Sequence, residues 1–162
     1  ELLIEVAENI NDPDVHFCIL GQGAHKKSLV DYCRAKNITN VTFYEPIKKE
    51  EVPDFLEQLD CCYIALQDKD IFSYGVSPNK LFDYMFSSKP ILFCINSGNS
   101  PVKDANCGIE VRSGKAEDIS SSILKLKSLS IEEREKLGDN GYKYVLKNHS
   151  YKSISEKYER LI

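Results

Sequence analysis

The sequence has no apolar run approaching the about 20 residues that a membrane-spanning helix needs, and its start lacks the charged-then-apolar pattern of a secretion signal. A cytosolic protein is expected. It also lacks any excess of positive charge, since 21 Lys and Arg face 25 Asp and Glu for a formal charge of −4. That excludes a global attraction to nucleic acid or to an anionic membrane surface, so any phosphate site has to be local. No two of the six cysteines stand at zinc-ligand spacing, because Cys61 and Cys62 are adjacent and Cys18, Cys33, Cys94 and Cys107 are isolated. The apolar runs HFCIL, CCYIAL and ILFCI carry cysteine as a small buried hydrophobe, which favours reduced, structural thiols over a disulfide framework or a metal site. There is no internal repeat and no low-complexity linker, and 162 residues suffice for one sizeable core, so a single domain over 1–162 is expected.

What is present is a strict alternation of strand and helix signals. Leu3, Ile4, Ala7 and Ile10 open the chain at helical spacing, as if it began inside an element. VHFCIL reads as a buried strand, Lys26 to Ala35 as a helix, Val41 to Tyr44 as a strand, Lys49 to Leu59 as a helix and Cys61 to Leu66 as a strand. After a loop from Gln67 to Val76 come a helix bearing Leu81, Phe82, Met85 and Phe86, the strand ILFCI, a short helix and a last strand near Ile109 to Val111. Helices alone follow: one from Ala116, one from Ile131 to Leu146 and one from Tyr151 to Ile162. Parallel strands need long crossovers, and crossovers are usually helices, so the pattern predicts a doubly wound parallel sheet, a Rossmann-like three-layer α/β/α domain.

Ligands of such sheets lie at the carboxyl ends of the strands, which makes the loops leaving the strands informative. Gly21-Gln22-Gly23 lets backbone approach a phosphate, although Lys26 stands where the dinucleotide fingerprint has its third glycine and no P-loop lysine–serine pair follows. A plain strand-to-helix turn explains the same residues. Ser77 is an N-cap candidate and Pro78 a first helical residue, so the free N–H groups near Asn79 and Lys80, with the lysine cation, suit a diphosphate. Asp83, about one turn on, can accept two hydroxyl hydrogen bonds from a ribose diol. An ordinary capped helix with a solvated Lys80 and Asp83 is the competing account. The loop Asp68 to Tyr74 can line a sugar pocket, with Tyr74 offering a ring face, or can simply be solvated. His16, His25 and His149 form no nucleophile–base–acid set with any Ser or Cys.

On these segments the chain resembles the carboxyl-terminal, donor-binding domain of family-4-type retaining glycosyltransferases with the two-Rossmann-domain (GT-B) fold, a family that includes sucrose synthase and lipopolysaccharide and capsule transferases. FCILGQGAHKKSL, NVTFYEPIKKEEVPDFL, YGVSPNKLFDYMFSSKPIL and DANCGIEVRSGKAEDI carry the likeness, which runs through most of the chain. The resemblance implies that Asp83, at the second acid of the family signature, binds the nucleotide ribose. It implies that Asn79, Lys80 and Leu81 cradle the donor phosphates beside Ser77 and Pro78, with Lys80 as the catalytic cation. Tyr44, Pro46 and Ile47 would hold the base, with Gly21 and Gly23 in the adjoining turn and Tyr74 near the sugar. Gly75 stands at the first acid, where the family usually has a glutamate; the variant with Ser77-Pro78-Asn79-Lys80 before Leu81-Phe82-Asp83-Tyr84-Met85 resembles a subgroup acting on amino-sugar and deoxy-sugar donors in surface polysaccharide synthesis, and the departure is read as a trait of that subgroup.

The implied reaction transfers a hexosyl or N-acetylhexosaminyl group from a nucleoside-diphosphate sugar to an acceptor hydroxyl, with no cofactor and no metal. The implied partners are the donor and an amino-terminal acceptor domain of the same enzyme. A first strand, with an arginine and a lysine that clamp the diphosphate, would precede the residues given, and the isolated chain would be inactive. Peripheral association of the full-length enzyme with the inner face of the membrane is compatible with the resemblance. The rival readings are a non-catalytic Rossmann-like nucleotide-binding module and half of a nucleotide-sugar epimerase. A receiver domain fits poorly, because Asp60 precedes its strand instead of ending it.

Overall fold

The computed structural model describes residues 1–112 and 114–159. The first helix, α1 (Leu2–Asn9), precedes β1 (Phe17–Leu20), α2 (Lys26–Ala35) and β2 (Val41–Tyr44). Next come a 3₁₀ turn (Lys49–Glu51), α3 (Val52–Glu57), β3 (Cys62–Ala65), a second 3₁₀ turn (Asp70–Tyr74), α4 (Asn79–Phe86) and β4 (Ile91–Cys94). The chain closes with α5 (Pro101–Ala105), β5 (Gly108–Glu110), α6 (Ala116–Ser128), α7 (Ile131–His149) and α8 (Tyr151–Glu159).

Local chemistry explains several of these boundaries. Ser100 accepts from the Lys103 N–H ahead of Pro101 and so starts α5, while Asn106 ends it in the left-handed conformation. Ser130 and Glu133 form a reciprocal capping box on α7, with bonds of 3.2 and 2.8 Å. The helix predicted from Lys49 to Leu59 is divided, with a 3₁₀ turn first and α-geometry starting at Val52 beside Pro53, whose ring suits a first turn. The predicted start of α4 needs correcting. Pro78 occupies the N-cap with extended backbone (φ −69°, ψ 124°), and Ser77 lies one residue outside the helix and makes no capping bond. Residues 160–162 of the predicted last helix fall outside the described residues.

All strand pairs are parallel, and helices cover both faces, as a doubly wound α/β domain requires. β4 supplies the core in both directions: Ile91 and Phe93, with Ile95 just beyond the strand, pack on one side with Leu81 and Met85 of α4, Val102 of α5 and Val145 of α7. Leu92 and Cys94 pack on the other with Val6 and Ala7 of α1 and Ile119 and Leu126 of α6. This alternation is the two-residue period of a strand buried on both faces. The six cysteines are all free, and burial pushes the thiols of Cys61, Cys94 and Cys107 up to about 12 and that of Cys62 up to about 11.

The sheet is not continuous. β1 pairs with β2, and β3, β4 and β5 pair in that order, but β1 and β3 do not pair with each other. Between them lies a cavity of about 780 Å³ lined by consecutive residues of both edges, Phe17 to Leu20 and Asp60 to Tyr63. Leu3 of α1 and Ile123 of α6 border it, and so do Phe55 of α3 and Lys80 and Asp83 of α4, so it passes through the sheet layer from one helical layer to the other.

Candidate functional site

Within each sheet the strands are parallel, so the segments leaving β1 and β2 share one edge and those leaving β3 and β4 another, and Leu20 at the end of β1 borders the same cavity as Lys80 and Asp83. At β1 the chain turns through Gly21, whose φ of 138° favours glycine. Its N–H reaches the Tyr44 carbonyl at 3.4 Å, and the Lys26 ammonium donates to the same carbonyl and to Glu45 Oε1, both at 2.8 Å. The glycine turn is thereby tied to the end of β2. The Tyr44 ring packs edge-on against Phe55 at 5.3 Å, and Ile47 is half-buried just beyond. A Cβ at Gly23 would meet nothing within 4 Å, so space does not demand glycine there.

At β3 the chain makes the 3₁₀ turn Asp70–Tyr74, which leaves Tyr74 almost wholly exposed, and then Gly75 at φ 115°, ψ 160°. Pro78 leads into α4, whose Leu81 and Met85 are fully buried and fix the helix on the sheet. The Leu81 N–H is bonded to the Pro78 carbonyl at 2.9 Å, and its side chain belongs to the core, so Leu81 offers the edge little beyond helix geometry. The N–H groups of Asn79 and Lys80 stand in the first turn, where a helix has no internal partner for them, and the helix dipole adds partial positive charge. Lys80 and Asp83 are exposed and make neither an ion pair with each other nor any other side-chain bond among the described residues. Both border the cavity between β1 and β3, the only two of the predicted site residues that do.

A second loop, leaving β4, supports the first. Asn99 brackets Val76, accepting from its N–H at 2.7 Å and donating to its carbonyl at 3.0 Å. Gly98 donates to the Phe72 carbonyl at 3.0 Å, and a Cβ on it would fall 2.0 Å from the Ser73 carbonyl oxygen. Asn96 adds a 3.3 Å bond to Asp68. The sequence signals this support only through the turn-forming string Gly98-Asn99-Ser100-Pro101, and nothing in the sequence shows that Lys26 reaches the end of β2. The histidines lie apart: His16 bonds Thr42 at 2.7 Å, His25 starts α2, and His149 packs on the Phe82 ring at 4.4 Å.

A parallel, doubly covered α/β domain with an open helix N-terminus, a lysine and a free carboxylate at the carboxyl edge defines a Rossmann-like domain with an anion-receptive edge. The chain matches the family Glycosyl transferases group 1 over residues 1–144 and belongs to it. No curated protein matches it by sequence. Among solved structures it is similar to S. aureus TarM, in complex with fondaparinux, α-GlcNAc-glycerol and UDP, at 24% identity and a TM-score of 0.77. It is similar also to sucrose-phosphate synthase from Thermosynechococcus elongatus (16%, 0.80) and to WaaG, a glycosyltransferase involved in lipopolysaccharide biosynthesis (18%, 0.72). Each alignment covers 99% of this chain but only 32%, 40% and 42% of the respective structure, so the chain spans a third to two-fifths of those proteins.

Proposed function

We propose that this chain is the donor-binding domain of a retaining glycosyltransferase that moves a hexosyl or N-acetylhexosaminyl group from a nucleoside-diphosphate sugar to an acceptor hydroxyl in surface polysaccharide synthesis. The observation that carries the reading is the start of α4, where unbonded N–H groups, the Lys80 ammonium and the unpaired Asp83 carboxylate stand together at the carboxyl edge. The N–H groups and Lys80 take the diphosphate, and Asp83 accepts from the ribose diol. Tyr44 and Ile47, with the Gly21 turn, take the base, Ser77 and Pro78 lie beside the phosphates, and Tyr74 and Gly75 lie at the sugar.

Catalysis in this reading is positioning plus stabilisation of the departing diphosphate, with no cofactor and no metal required of the protein. The acceptor site belongs to a partner domain of the same enzyme, and the chain alone binds nucleotide weakly without turning over. The reading carries a cytoplasmic location, at the inner face of the membrane where the acceptor is membrane-bound; no helix among the described residues is long and apolar enough to cross one.

It also places a further parallel strand in the gap between β1 and β3. In a parallel ladder alternate residues bond to one neighbour. Phe17 and Gly21 donate toward β2 and Cys62 toward the β4 side, which leaves Cys18 and Leu20, and Cys61 and Tyr63, turned to the gap. Hydrogen exchange checks this: those four amides are expected to exchange fast in the 162-residue chain and to be protected in a longer polypeptide that includes the preceding segment. Equal protection in both would remove the strand from the model of the enzyme.

The donor reading is tested by titrating the chain, and the longer polypeptide, with UDP, GDP and ADP while following amide NMR shifts. Shifts confined to Gly21 and to Ser77 to Asp83 are expected, with Asp83→Ala weakening the preferred nucleotide about tenfold, the size of a lost hydrogen bond to a charged group. No response to any of the three in the longer polypeptide would end the proposal.

A further inference from the structure

The departure at Gly75 has a structural counterpart across the edge. Gly75 adopts φ 115° and ψ 160°, a region open essentially to glycine alone, and a Cβ on it would lie 3.2 Å from Asn99 Oδ1. The same Oδ1 accepts the Val76 N–H, and Asn99 Nδ2 donates to the Val76 carbonyl, so only one orientation of the carboxamide satisfies both bonds. Asn99 is held in turn by Ser97, a buried hydroxyl that donates to the Asn99 carbonyl at 2.6 Å. Gly98 makes the approach possible, since any side chain there would collide with the Ser73 carbonyl.

We propose that Asn99 is a positioning residue for the donor: it fixes Val76, and through it Gly75 and Ser77, in the conformation that presents this stretch of backbone to the sugar and diphosphate. An acidic residue at position 75 would strain the backbone at φ 115° and press on the Asn99 carboxamide, which would have to yield by a few tenths of an ångström. The sugar end of the site is therefore bounded by backbone and by the Asn99 carboxamide, where a carboxylate would stand if the residue at 75 carried one. Two bonds from one planar side chain act on the loop as a neighbouring strand would, so the loop is ordered before the ligand arrives and binding costs less conformational entropy.

The inference rests on the donor reading above, and the experiment separates the two. In the intact enzyme, UDP, GDP and ADP are titrated by calorimetry, and the tightest is carried forward with Asn99→Ala, Ser97→Ala and Asp83→Ala. Asn99→Ala is expected to raise Kd about tenfold and to raise the donor KM more than it lowers kcat, while the unfolding midpoint stays put and the Val76 amide loses exchange protection. Ser97→Ala should move Kd in the same direction by a smaller factor. If Asn99→Ala does not fold, Ser97→Ala decides: a raised Kd at an unmoved midpoint supports the clamp, and an unchanged Kd overturns it. If Asp83→Ala weakens the nucleotide while Asn99→Ala leaves Kd and KM unchanged, the clamp is refuted and the donor site stands. If none of the three nucleotides binds, the donor site falls and the clamp falls with it.

Discussion

Lys80→Ala in the intact enzyme is expected to lower kcat about 100-fold, with a smaller rise in the donor KM. In the proposed transfer the leaving diphosphate gains negative charge as the glycosidic bond breaks, so a cation and the free N–H groups at the start of α4 would gain most in the transition state. Removing one preorganised donor of this kind typically costs 10²–10³-fold in enzymes, about 2.7–4 kcal/mol. The lower end applies because Lys80 is exposed, where solvent screens its field. Among the described residues no carboxylate pairs with the ammonium. Lys80→Arg keeps the charge but replaces a compact ammonium by a planar fork, so partial recovery is expected. The check is steady-state kinetics with the sugar donor of the base that the titration selects. A kcat within twofold of the parent enzyme would mean that the diphosphate leaves elsewhere.

Much of this was legible in the residues. Short apolar runs such as CCYIAL and ILFCI can be fully buried strands or pieces of buried helix, and the punctuation at Pro90 and Asn96 resolves them as strands. β4 then turns out buried on both sides, which is why its run shows no polar alternation. Lys80 and Asp83 stand out by type and spacing on a helix just after a proline, a pattern an ordinary capped helix shares, and the fold sets both on one cavity. The split between β1 and β3 was not legible, because strand order along the chain says nothing about which edges meet. Asn99 was hidden for a related reason. An asparagine in a turn commonly bonds its own backbone, and only the folded chain shows this one reaching back 23 residues to Val76. Ser77 misled because serine before proline has the right composition for a cap, while the cap position is set by backbone dihedrals, which put Pro78 there.

Two glycines three residues apart inside the 19-residue α7 were a signal of another kind. Each costs about 1 kcal/mol of helix propensity relative to alanine, so a long helix that keeps both has a packing reason. Gly138 and Gly141 are both buried: a Cβ at Gly138 would fall 1.8 Å from the Ser88 carbonyl oxygen, just past α4, and one at Gly141 would fall 3.2 Å from Cys107 Cβ. Gly138→Ala is therefore expected to destabilise the domain despite its gain in propensity. The obstacle at 138 is backbone, which no rotamer change can clear, so α7 has to move off α4, and overpacking of this severity costs about 3 kcal/mol or more. Offset by about 1 kcal/mol from propensity, the net loss is roughly 2 kcal/mol or more. Gly141→Ala faces a side-chain atom that can yield by a few tenths of an ångström and should lose less. Gly23→Ala, with open space around it and no positive φ, should be neutral or gain up to about 1 kcal/mol. Urea unfolding of the three variants gives the order directly. Equal midpoints for Gly138→Ala and Gly23→Ala would mean that α7 does not rest on the end of α4, and the support under Lys80 and Asp83 would then have to come from the sheet alone.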